Sequence, residues 1–235
     1  MKTLDIVTYC YPGDYGWLPY FFRAITKHAS GFRKLLLVID EQSPAPPDLP
    51  DFVELMFSRS LNDVPYGRTI LRFEAWKWTD SELISFIDSD CMLARPTNLV
   101  EWSSPQIPML VTPWELLSFG KEWRPVTEKI LGFPPPYETM RQYPFVYPRD
   151  MLQEAHGHIG GFDRVLKLLV TGEIDRVSEF NVWGNYGIVK HPELFRVERT
   201  DRPPITHGNI YHFWPRKEVD SPEMQLMLQA LDLLP

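Results

Sequence analysis

Two aspartates one residue apart, Asp88 and Asp90, close the apolar run Leu83-Ile84-Ser85-Phe86-Ile87. Carboxylates at that spacing can share one hard divalent cation, and a cation so held can neutralise phosphate oxygens. The triplet Asp88-Ser89-Asp90 therefore marks a candidate metal-bridged phosphate site. As three letters it is weak, since a chain of this composition contains such a pattern about once by chance. Context strengthens it. Charged side chains are costly inside a sheet and cheap at its carboxyl edge, where open α/β sheets bind ligands, and the run before Asp88 has the length and character of a buried strand. A second carboxylate with a chemical setting is Glu179, in Ser178-Glu179-Phe180-Asn181. Ser178 can cap a helix whose first turn then carries Glu179 against the positive helix terminus.

The elements that must position these groups can be read from the pattern. Leu4 to Tyr9 forms a first strand, followed by a Pro12-Gly13 turn and a helix from Trp17 to about His28. Lys34 to Ile39 is almost wholly apolar, as a strand buried on both faces should be. Glu41 to Pro50 carries four prolines and is loop, and Phe52 to Met56 fits a short third strand. Arg68 to Trp78 is expected as one helix leading into the strand that ends at Asp88. Strands alternating with helices through the first ninety residues predict an α/β fold with a mostly parallel central sheet. Beyond Asp90 the pattern loosens: Met109 to Thr112 reads as a strand, Val126 to Leu131 and Pro148 to His156 as helices, and Gly160 to Val170 continues the helical character. No repeat or linker divides the chain, so one domain over 1–235 is expected, its second half a lobe built onto the sheet.

Composition narrows the function classes. With 44% hydrophobic residues the 235-residue chain can bury a substantial core. It shows no apolar stretch of membrane-spanning length and no signal-peptide pattern, so a cytoplasmic location is expected. A net charge of −7 without a Lys/Arg run disfavours a broad grip on nucleic acid. Cys10 and Cys91 are too few for a disulfide framework and are expected as buried free thiols. Glu154, His156 and His158 have the wrong helical spacing for a zinc site. No dinucleotide-binding glycine fingerprint and no nucleophile elbow occur.

The opening strand with its aromatic loop, the Arg68 to Trp78 segment and the strand running into Asp88-Ser89-Asp90 resemble the nucleotide-binding half of GT-A fold glycosyltransferases, over about the first 110 residues. The Ser178-Glu179-Phe180-Asn181 segment resembles the Ser-Glu-Tyr-type helical motif of bacterial and phage-type members of that superfamily, where the carboxylate faces the acceptor. The late segment Thr206 to Lys217 resembles the histidine-containing stretch with which several such enzymes complete a metal shell.

This resemblance implies a GT-A, Rossmann-like sheet with a nucleotide-sugar-binding half at 1–110 and an acceptor-binding, site-closing half at 111–235, and transfer of a sugar from a nucleoside diphosphate donor, UDP-sugar favoured, to an acceptor hydroxyl. By position, Thr8, Tyr9, Tyr11 and Asp14 would meet the nucleotide. Asp88 and Asp90 would hold Mn²⁺ or Mg²⁺, with His212 chosen over His207 as a third ligand. Arg68, Arg72, Arg216 and Lys217 would contact the nucleotide and its diphosphate. Glu179 would orient or deprotonate the acceptor hydroxyl, and Asn181 would hydrogen-bond it. His212 is followed by Phe213-Trp214-Pro215-Arg216-Lys217, not by the glycine and Lys-Pro-Trp ending of the retaining pattern, so the stereochemical outcome stays open. A glycan, a lipid-linked sugar, a protein or a hydroxylated DNA base fits as acceptor, the last requiring a basic surface from Arg59, Arg68, Arg72, Arg141 and Arg149. A nucleotidyltransferase, a sugar-nucleotide hydrolase and a non-catalytic nucleotide or glycan binder are the alternatives.

Overall fold

The computed structural model describes residues 2–61, 63–64, 66–118, 120–140, 144–200, 210–212 and 221–234, the side chains of residues 68, 210–212 and 223 apart. His207, Arg141, Arg216 and Lys217 lie outside the described residues, as do the side chains of Arg68 and His212.

The strands in chain order are β1 (Leu4–Tyr9), β2 (Ala29–Ser30), β3 (Leu35–Asp40), β4 (Val53–Ser58), β5 (Leu83–Phe86) and β6 (Cys91–Leu93). They continue with β7 (Thr97–Asn98), β8 (Ile107–Pro113), β9 (Tyr137–Glu138), β10 (Phe145–Pro148), β11 (Phe195–Arg199) and β12 (Ile210–His212). The helices are α1 (Leu18–His28), α2 (Gly67–Leu71), α3 (Leu99–Trp102), α4 (Trp123–Leu131), α5 (Arg149–His158), α6 (Gly161–Val170), α7 (Glu179–Lys190) and α8 (Pro222–Ala230). Among the described residues no helix is long and apolar enough to cross a membrane.

The central sheet has the order β10-β5-β1-β3-β4. Strands β5, β1, β3 and β4 run parallel, and β10 closes one edge antiparallel to β5. The result is an α/β architecture with a mostly parallel sheet flanked by helices, compatible with a Rossmann-like fold. The chain leaves β1 toward β3 on one side and returns from β4 to β5 on the other. The strand order therefore reverses between β1 and β5, and the crevice of such a sheet opens at the carboxyl ends of those two strands. Those ends are Tyr9-Cys10 and Ile87-Asp88.

Side chains alternate across the sheet, and in register Val7 of β1 lies beside Phe86 of β5, which lies beside Phe145 of β10. Tyr9 and Tyr147 share that face. Against it packs α7, with Phe180 stacked on Phe145 at 3.8 Å between ring centroids and Trp183 at 5.0 Å from Phe86. Phe73 meets Trp183 at 5.5 Å. The first nine residues of α7 are all buried, which makes it a core helix and not an amphipathic surface one.

Several elements differ from expectation. The segment expected as one helix from Arg68 to Trp78 is a short α2 followed by a 3-10 helix over Arg72–Lys77. The tighter three-residue period suits Ile70 and Phe73, both buried, and the Glu74–Lys77 ion pair at the same spacing. The strand expected to end at Asp88 stops at Phe86, and Asp88 to Cys91 is a turn closed by the Cys91 N–H donating to the Asp88 carbonyl at 2.9 Å. The strand expected at Met109 to Thr112 is β8, which belongs to a second sheet of order β11-β8-β9. The thiols of Cys10 and Cys91 are free and buried.

Candidate functional site

Asp88 and Asp90 stand in the turn after β5, both half-buried, with Ser89 between them buried. The turn lets residues two apart present their carboxylates at the sheet edge while β5 itself stays apolar. One oxygen of Asp88, Oδ1, accepts from Arg72 Nη2 at 2.7 Å. The other end of the same guanidinium, Nη1, donates to Glu179 Oε1. Arg72 thus joins a carboxylate at the end of β5 to one at the start of α7, about ninety residues apart in sequence. Its plane is flanked by Tyr9, at 5.2 Å to the ring centroid, and Phe180, at 5.5 Å. Cation–π contacts of this kind strengthen where water is excluded, and the Arg72 side chain is only 12% exposed.

Ser178 caps α7 as its sequence position suggests, its Oγ accepting from the Asn181 N–H at 3.2 Å. Glu179 follows in the first turn, its side chain 5% exposed. Burial pushes its carboxyl above the ordinary carboxylate range; the Arg72 guanidinium and the backbone N–H pull it back only in part, and the Asp88 charge adds to the rise. Glu179 is thus a carboxylate with more affinity for a proton than a surface glutamate, the property a general base needs.

The Asp14 and Asp90 carboxylates both act on the Cys10 thiol. Burial pushes Cys10 up to about 12, and the Asp14 and Asp90 carboxylates add to the rise, against a hydrogen bond from Ser89. The antiparallel register of β12 on β6 sets His212 opposite Cys91, the residue after Asp90. The backbone therefore brings the expected third ligand position to the same turn. Among the described residues, Asp14, Asp88, Asp90 and Glu179 lie in this region with Arg72.

Thr8 and Asn181 both lie in the buried interior. Thr8 alternates to the sheet face opposite Tyr9, and its hydroxyl is fully buried there without a hydrogen-bond partner, so it does not reach the crevice. Asn181 is fully buried, and its Oδ1 accepts from the Thr139 N–H at 2.8 Å. One turn on, Asn185 pairs with the backbone of Tyr137 in both directions, at 3.1 and 2.8 Å. The two asparagines clamp the β9 segment to α7, while the Asn181 Nδ2 is buried without a hydrogen-bond partner. Arg72, expected on the diphosphate, has both arms of its fork on carboxylates.

Of the arginines named for a DNA acceptor, Arg59, Arg72 and Arg149 have described side chains. Arg59 lies over the Phe162 ring at 3.7 Å and donates to Glu74, and Arg149 Nε donates to the carbonyls of Trp76 and Thr79. His156 accepts from the Phe162 N–H at 3.2 Å, and His158 Nε2 lies 2.8 Å from the Leu131 carbonyl oxygen, both in structural roles. Tyr147, which sequence reasoning did not single out, packs against α7 through Trp183 of that helix. The signal was present as spacing: Trp183 is four residues after Glu179, and Tyr147 shares the face of Phe145.

No protein-family model matches the chain, and a search of curated proteins finds no match either.

Proposed function

We propose that this chain is a metal-dependent glycosyltransferase of the GT-A type, moving a sugar from a nucleoside diphosphate, UDP favoured, to an acceptor hydroxyl. The observation that carries the reading is the Asp88–Arg72–Glu179 network at the carboxyl ends of β5 and β1. It ties Asp88, the first of the two strand-end carboxylates, to the buried carboxylate of Glu179 through one guanidinium.

The donor set suits a hard cation. Mg²⁺ and Mn²⁺ take oxygen ligands and are commonly held by one or two carboxylates plus waters and substrate phosphates, so a three-residue cage is not required. Among the described residues no group of three or more His, Cys, Asp and Glu forms such a cage. Asp88 and Asp90 are the residues to hold the ion, with the backbone position of His212 at the same turn. When bound, the ion supplies neutralisation of the leaving diphosphate.

The chain's own residues do the rest. Arg72 holds Glu179 beside the diphosphate end of the crevice. Glu179 takes the proton from the acceptor hydroxyl as that oxygen attacks the anomeric carbon, the carbon–oxygen bond to the diphosphate breaks, and the nucleoside diphosphate leaves with the electron pair. Tyr9 and Phe180 sandwich Arg72 and keep water from its charge. Incubation with a panel of nucleotide sugars and acceptors, with and without Mn²⁺, tests the reading by product analysis. Metal-dependent release of nucleoside diphosphate with a glycosylated acceptor is expected. Pyrophosphate as product would mean nucleotidyl transfer, free sugar alone would mean hydrolysis, and no turnover with any donor would sink the enzyme reading.

A further inference from the structure

Tyr66 stands immediately before α2 in the left-handed region of the backbone, at φ 57° and ψ 15°. That conformation is unfavourable for a bulky side chain, so the surrounding turn must impose it. Two successive turns do so, the Val64 N–H donating to the Leu61 carbonyl at 3.1 Å and the Gly67 N–H to the Val64 carbonyl at 2.9 Å. Gly67 leaves no slack, because a Cβ there would lie 2.3 Å from the Leu61 carbonyl oxygen. The Tyr66 side chain held in this way is on the surface, 41% exposed, and its ring meets that of Trp123 edge to face at 5.9 Å and 90°. Trp123 opens α4 and is half-buried, with the Arg176 guanidinium over its ring at 5.6 Å. Neither the Tyr66 hydroxyl nor the Trp123 indole N–H has a hydrogen-bond partner among the described residues, so both polar tips face water.

The charges around the rings balance. Arg176 donates from Nε and Nη2 to the two oxygens of Asp175, at 3.0 and 2.8 Å, and its Nη1 lies 3.2 Å from Glu122 Oε1. Arg124, the residue after Trp123, pairs with Glu115 at 3.6 Å. With Lys121 included, the three cations Lys121, Arg124 and Arg176 stand against the three carboxylates Glu115, Glu122 and Asp175. An anionic ligand would find the guanidinium beside the rings already shared between two carboxylates. An aromatic pair with wet polar tips and a balanced rim suits a neutral, polyhydroxylated ring, whose C–H face packs on the aromatics while its hydroxyls take hydrogen bonds at the edge.

The chain ties these rings to the Arg72–Glu179 ion pair twice. Tyr66 precedes Arg72 by the length of α2, about 9 Å at the helical rise. Arg176 precedes Glu179 by three residues, at most about 11 Å of chain.

We propose that Tyr66 and Trp123 form the stacking surface for the acceptor, and that the acceptor is a neutral glycan. The inference rests on the transferase reading, with Glu179 on the acceptor side. One unit of the glycan packs on the rings, and a unit further along offers its hydroxyl to Glu179.

Saturation-transfer difference NMR tests the surface without turnover. The probes are tetrasaccharides of glucose, galactose, mannose and N-acetylglucosamine, with an oligo-thymidine as the anionic stacking probe. At least one tetrasaccharide should receive saturation at its ring C–H protons, and the oligonucleotide should receive none. Trp123→Leu and Tyr66→Gly should each weaken that binding about tenfold, whereas Tyr66→Phe, which keeps the ring, should stay within about twofold of the parent. Tyr66→Gly should melt close to the parent, because glycine takes the left-handed conformation freely, so its lost binding is not lost folding. The proposal is overturned if no tetrasaccharide binds, if binding survives both Trp123→Leu and Tyr66→Gly, or if oligo-thymidine occupies the rings instead. If a tetrasaccharide binds through the rings but is glycosylated with no nucleotide sugar, the transferase reading fails and the glycan-binding surface stands.

Discussion

Replacing Arg72 with Gln removes one charge from the most enclosed part of the site and keeps most of the side chain's length. Glu179 and Arg72 are 5% and 12% exposed, so solvent screens neither. Breaking a buried pair by deleting one partner costs about 3–5 kcal/mol, because the remaining charge is left uncompensated. At about 2–4 °C per kcal/mol for a chain of this size, a loss of ~3 kcal/mol lowers the thermal midpoint by roughly 6–12 °C. The cost depends on pH in a direction that can be worked out. Burial raises the Glu179 carboxyl, and Arg72 is the largest influence pulling it down, so the variant's folded-state pKa rises further. A carboxyl whose pKa is higher folded than unfolded binds its proton more tightly in the native state. Its stabilising contribution is then fully present below the unfolded pKa and is lost as pH rises through the folded one. Arg72→Gln should therefore be most damaging at about pH 8 and approach the parent protein as pH falls toward about 5. Adding Glu179→Gln should recover much of the loss, since only the half-buried Asp88 carboxylate is then left without Arg72, and circular dichroism melts of the four proteins across pH measure the coupling directly. A loss that is the same at every pH and is not recovered by the second substitution would refute the reasoning.

Two further outcomes follow from packing and from the thiols. Gly184→Ala would bring a Cβ to 2.5 Å from Thr139 Oγ1, and Thr139 is fixed by Asn181 and by the Phe180 carbonyl, so a cost of about 1–3 kcal/mol should appear in the denaturant midpoint. Cys10, pushed up to about 12, and Cys91, raised by burial and then by Asp90 and Asp88, carry almost no thiolate near neutrality. Mass spectrometry after iodoacetamide treatment should find both unmodified in the native protein and both alkylated in denaturant; rapid native labelling would contradict the buried placement.

The α/β architecture was legible because its strands are unusually plain. Leu35 to Ile39 is apolar throughout, and only a strand covered on both faces reads that way. The crevice was legible for the same reason, since Asp88 and Asp90 interrupt such a run where a sheet must end. What pattern reading missed depends on contacts between distant segments. Arg72 looked like a phosphate-binding cation, but its fork is set by Glu179, which only the docking of α7 brings within reach. Asn181 looked like an acceptor contact, because helix periodicity does not reveal that the β9 segment crosses that side of α7 and takes its oxygen. Thr8 and Tyr9 are adjacent letters on opposite faces of β1. The 3-10 turn of Arg72–Lys77 reflects a packing choice between two helical periods that the letters alone fit equally well.

The central claim is that Asp90 and the crevice beside it hold a divalent ion with a nucleoside diphosphate. Thermal unfolding with each nucleoside diphosphate, with and without Mn²⁺, tests it without knowledge of sugar or acceptor. A ligand specific for the native state raises stability by roughly 2.7 kcal/mol at a hundredfold excess over its Kd. One diphosphate, UDP by expectation, should raise the midpoint only when Mn²⁺ is present, and Asp90→Asn should abolish the shift while leaving the ligand-free midpoint nearly unchanged. A shift that persists in Asp90→Asn, or no shift with any diphosphate and metal, would contradict the account.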